Sequence, residues 1–122
     1  MISRIPALEF LHSLVGSYAE SDGAARLRIW RCGYGVAIDL SNGEKSILCG
    51  VAGASNQHVE CFVQIGLPNV TRTLGQLEDG ATLCLAAEEV PIEFRLTKVS
   101  GGLRVTIAFD GEEKASYALR AA

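Results

Sequence analysis

Apolar and polar residues change their rhythm once along this chain, near Ala25. Ahead of that point Leu8, Leu11, Val15 and Tyr18 recur at three- and four-residue steps, which predicts one apolar stripe on a short helix. Pro6 suits the first helical position, where its missing N–H costs nothing, and Gly16 suits the position just past the end. Ser17–Glu20 reads either as more helix or as the start of a strand, with a turn at Asp22-Gly23. Beyond Ala25 the period becomes two, as expected of strands with one buried face. Leu27 and Ile29 share a face while Arg26, Arg28 and Trp30 take the other. The inward sets that follow are Tyr34, Val36, Ile38 and Leu40; Ile47, Cys49 and Val51; and Val59, Cys61, Val63 and Ile65. Later come Leu83 and Leu85; Ile92, Phe94 and Leu96; Leu103, Val105, Ile107 and Phe109; and Tyr117 and Leu119.

The links between these segments are hairpin chemistry. Asn42-Gly43 and Asp110-Gly111 suit tight turns that need positive φ, and Asp79-Gly80 starts the second group of strands. Parallel strands need crossovers of about a dozen residues. Only Gly66–Asp79 offers that length, so the sheet is read as antiparallel, with this segment joining two four-strand groups. The predicted fold is mainly β on the α+β border: an antiparallel β-barrel or roll of about eight strands preceded by one short N-terminal helix. A single bent sheet is the other closure. Medium and large aliphatics fill the inward positions, so a packed interior is expected rather than a hollow one. Residues 1–122 make one domain, with 1–24 holding the helix and first turn and 25–122 the antiparallel β region.

Composition narrows the function. Apolar residues make up 48% of the chain and charged ones 20%, which speaks against disorder. A net charge of -3 provides no electrostatic footprint for nucleic acid or an anionic membrane. The apolar run near the start is broken by Glu9 and His12, unlike a secretion signal. Cys32, Cys49, Cys61 and Cys84 contain no Cys-x-x-Cys pair of the kind zinc sites use. Cys49 and Cys61 fall on the apolar parity and are expected to be core thiols. These readings together predict a cytoplasmic, reducing location.

Few residues suggest chemistry. His58 and Glu60 share a strand face with Phe62 and Gln64, where a pocket for a small molecule or a proton-transfer pair would lie. Solvated polar side chains on an outer face account for them equally well. Gly33-Tyr34-Gly35 and Gly50-Val51-Ala52-Gly53 lack the residues that complete nucleotide-binding loops. Glu78-Asp79, Glu88-Glu89 and Glu112-Glu113 read as solvated turn residues. No catalytic residue, metal or cofactor is assigned. Trp30, flanked by Arg26 and Arg28 on the outward face, carries the one binding signal, because aromatic and Arg side chains are enriched at protein interfaces. The expected function is a non-enzymatic binding or assembly module, a homodimer or a subunit of a complex, using an outer sheet face or an edge strand.

Two short stretches carry resemblances. TLGQLEDGATLCL, from Thr73 to Leu85, resembles the Leu- and Gly-spaced phrase of surface-presentation-of-antigens domains, small β modules that intertwine as dimers. GVAIDLSNGEKSILCGVAG, following a helix, is similar to the opening of type III secretion chaperones, which are small, acidic, dimeric α/β proteins. The chain departs from the chaperone pattern by ending in strands where that family has a helix. Either resemblance implies binding and oligomerisation without chemistry.

Overall fold

The computed structural model describes residues 6–33, 35–55, 58–64 and 70–122, with side chains described at all of these except 52, 54, 55, 58–64 and 70–72. One helix, α1 (Pro6–Ser13), leads into ten strands. These are β1 (Gly16–Glu20), β2 (Ala25–Cys32), β3 (Gly35–Asn42), β4 (Lys45–Ser55) and β5 (His58–Gln64). They continue as β6 (Val70–Leu77), β7 (Thr82–Ala87), β8 (Ile92–Val99), β9 (Gly102–Phe109) and β10 (Glu112–Ala121). Each strand pairs antiparallel with the next, and β1 also pairs with β10, closing a barrel.

Alternation sorts most side chains as the pattern predicts, except at the end of β9, where Phe109, expected inward, is exposed and Ala108 is buried. Leu27, Ile29, Val36, Ile38 and Leu40 are buried, as are Leu83, Leu85, Phe94, Leu96, Leu103, Val105 and Leu119. α1 lies against β3–β6 and joins the same core through Ala7, Phe10 and Leu11, with Leu14 just past its end. A ten-membered ring is wide enough to need such a filler, because side chains alone just fill a ring of about eight.

Three expectations are corrected and one open boundary is resolved. The sheet has ten strands, two more than the apolar pattern marks. Ser17–Glu20 is strand, within β1, and the supposed connecting segment contributes β6. The helical stripe is rotated: Ala7, Phe10, Leu11 and Leu14 face inward, Leu8 is half-buried, and Val15 lies beyond the helix, 41% exposed. In β4 the parity is reversed. The β3–β4 register slips between Leu40 and Ser41, so that Leu40 faces Leu48 while Ser41 faces Ser46. The extra residue, Ile47, turns Leu48 inward and puts Cys49 and Val51 on the outer face. Cys49 is therefore an exposed thiol rather than a core one. Tyr34, and the side chains of the predicted inward set Val59, Cys61, Val63 and Ile65, lie outside the described residues.

Turn chemistry follows the sequence with one shift. Asp110 and Gly111 both have positive φ, 53° and 80°, as a tight turn of this kind demands. At the β3–β4 turn only Gly43 does, at 65°.

Ring closure removes most edges as docking templates. Trp30–Cys32 of β2 extends past β1 and keeps one, as does Glu112–Ala118 of β10. Glu112, Glu113, Lys114 and a register shift before Ala115 blunt the latter, devices that discourage strand addition.

Candidate functional site

The outward residues of β2 sit on the convex face of β2–β4. Arg26 and Arg28 are exposed and Trp30 is half-buried, each alternating with a buried neighbour. Arg26 is anchored locally, its Nη1 donating to the carbonyls of Gly23 at 3.2 Å and Ala25 at 2.9 Å. The Arg28 guanidinium lies over the Trp30 ring, 4.8 Å from its centroid. Such a cation–π contact at an exposed site is worth about 0.5–1 kcal/mol, enough to bias the indole toward one orientation.

Strand register extends this feature sideways. Trp30 is opposite Ala37, and Ala37 is opposite Val51, forming one row across three strands. Ala37 is only 3% exposed although it points outward, while Val51 is 48% exposed. The small Ala37 thus forms a covered floor between two larger apolar side chains. The adjoining row is Arg28, Asp39 and Cys49. Arg26, Arg28, Asp39 and Ser41 also line an open groove of about 310 Å³ with Ser17 and Tyr18 of β1. An apolar strip bordered by Arg and Asp is suited to contact, burying area at the centre and pairing charges at the rim.

The structure brings Trp30, Arg26 and Arg28, the residues singled out from the sequence, to one face. Sequence reasoning missed Val51, because the slip at Ile47 is invisible to simple alternation. His58, Glu60, Phe62 and Gln64 occupy alternate positions on β5, opposite Ser55, Gly53, Val51 and Cys49, and their side chains lie outside the described residues. His12 is half-buried near the end of α1, and its buried Nδ1 has no hydrogen-bond partner among the described residues.

A second cluster lies on the outer face of β7 and β8. Arg95 bridges Glu78, at 3.1 Å, and Glu93, at 2.8 Å, beside Cys84. Burial pushes the Cys84 thiol up from its ordinary range, and the Arg95 charge only partly opposes this. A raised thiol is a weaker nucleophile, and Arg95 is engaged by Glu78 and Glu93 as an ion-pair network. Asp79, beside Glu78, accepts from the Ala81 N–H at 3.0 Å and closes its turn. Among the described residues no group of three His, Cys, Asp or Glu is placed to hold a metal ion, and no helix is long and apolar enough to cross a membrane.

No protein-family model, curated protein or solved structure matches the chain.

Proposed function

We propose that this chain is a non-enzymatic binding or assembly module that works through protein–protein contacts on the outer face of β2–β4, as a homodimer or as a subunit of a complex. The observation that carries the reading is the half-buried Trp30, held under Arg28 in the same row as the exposed Val51. A large aromatic at an exposed site adds nothing to a core that is already filled by aliphatics. Held in place, it offers contact area to a partner at low entropy cost. Closure of the ring favours this outer face over strand addition at an edge. Unbridged thiols at Cys32, Cys49 and Cys84 support a reducing, cytoplasmic setting.

Trp30 is the only tryptophan, so its emission reports directly on this face. Association through the face is expected to shift the emission to shorter wavelength as concentration rises or as a purified partner is added. Light scattering after size exclusion should show a mass above one chain at micromolar concentration. Trp30→Ala should lose the association and keep the far-ultraviolet circular dichroism of the wild type. A one-chain mass with no complex formed, or association untouched by Trp30→Ala, refutes the proposal.

A further inference from the structure

The barrel closes through its shortest strand. β1 has five residues and meets β10 at three register pairs, Tyr18 with Ala121, Ala19 with Arg120, and Glu20 with Leu119. The β8–β9 ladder has eight pairs. The Ala122 N–H donates to the Ser17 carbonyl at 2.8 Å, and the Ala121 N–H donates the other way, to Gly101 beside β9, at 3.3 Å. Antiparallel strands direct the backbone groups of successive residues to opposite sides. Ser17 and Ala19 therefore turn their backbone groups toward β10, whereas Gly16 and Tyr18 turn theirs toward β2. Likewise Arg120 and Ala122 face β1, while Leu119 and Ala121 face β9.

Anchoring is unequal on the two sides of this seam. β1 holds β2 along four register pairs, and Tyr18 also ties back to the helix end, its hydroxyl donating to the Leu14 carbonyl at 2.7 Å. α1 itself is seated on β3–β6, away from the seam. β10 is held along β9 by eight pairs. We infer that the β1–β10 seam is a latch: it opens ahead of the rest of the ring, β1 staying with β2 and β10 with β9, and the opening uncovers the dry interior beside Leu27, Leu103 and Leu119. Sub-global openings of this kind follow the places where fewest bonds must break together.

Amide hydrogen exchange followed by NMR tests the latch on the unmodified chain. After correction for intrinsic rates, the Ala19 amide is expected to exchange at least tenfold faster than that of Tyr18, and Arg120 faster than Ala121. Amides of the β8–β9 ladder should be slower than either seam set. Equal rates at Ala19 and Tyr18 mean that β1 leaves as a whole or not at all, and would overturn the inference. So would seam protection equal to that of β8–β9. Ala19→Pro removes one donor facing β10 and leaves the donors facing β2. Folded Ala19→Pro should bind an apolar dye such as anilinonaphthalene sulfonate several-fold more than wild type, and no increase counts against the latch. If that variant does not fold, the alternation of exchange rates in the wild type decides.

Discussion

The reversed parity of β4 makes an unequal pair of neighbouring substitutions. Leu48 is 1% exposed and faces the core opposite Leu40, while Cys49 beside it is exposed. Leu48→Ala removes three carbons from the dry interior, roughly 2.4 kcal/mol at about 0.8 kcal/mol for each buried methylene-sized group. The void left among rigid strands adds to this, giving about 2–5 kcal/mol in all. Cys49→Ala trims a surface thiol and should stay within about 0.5 kcal/mol of wild type. Against a total stability on the order of 5–15 kcal/mol, the first change is a large fraction and the second is negligible. Urea unfolding followed by Trp30 emission measures both, and unchanged slopes with shifted midpoints would show that stability alone has moved. A Cys49→Ala cost equal to or above that of Leu48→Ala refutes the slip at Ile47 and restores uniform alternation through β4.

Three further outcomes follow from particular contacts. A Cβ on Gly102 would collide with the Leu119 carbonyl oxygen, a backbone atom that cannot yield without shifting β10, so Gly102→Ala should cost about 1–3 kcal/mol in thermal or urea unfolding; a neutral result would mean that the strands approach less closely. Alkylation at pH 8, mapped by peptide mass spectrometry, should label Cys32 and Cys49 well before Cys84, whose thiol is raised by burial; first labelling at Cys84 would contradict its placement. Burial also raises Tyr18 above the ordinary tyrosine value of 10.0, so the folded state favours its neutral phenol. That contribution is present below pH 10 and is lost as pH rises through the higher folded value. Tyr18→Phe should therefore flatten the alkaline fall in stability above pH 10, and an unchanged alkaline limb assigns the fall to other groups.

How far the sequence spoke depended on whether side chains or backbone counts carried the information. Alternation alone identified Leu27 and Ile29 as core and Arg26, Arg28 and Trp30 as surface, because a strand with one dry face must repeat every two residues. It failed at Ile47, where one inserted residue reverses every later assignment on β4 while leaving the local composition apolar on both faces. It left β1 open between helix and strand, because that strand is too short and too mixed to show a period, and it passed over β6, where Thr73 and Gly75 stand at positions that other strands fill with aliphatics. The helix was legible as an element but its buried face was not, since Phe10 and Leu14 compete with Leu8 and Val15 for the same stripe and only the shape of the barrel chooses.

The first of these strands bears on the candidate site more than its length suggests. Without β1 the sheet would keep open edges at β2 and β10, and edge pairing would be the simplest way for this chain to meet a partner. With β1 in place the backbone groups of β2 are occupied on both sides along Arg26–Ile29, and what that stretch presents is side chains alone. Under the proposed function, recognition at β2 would depend on the order Arg26, Arg28, Trp30 and on the row that Trp30 shares with Ala37 and Val51. Such a surface discriminates by shape and charge, whereas an open edge would accept almost any extended chain. The short strand that sets the ring's weakest seam thus also makes contact at β2 a matter of side chains.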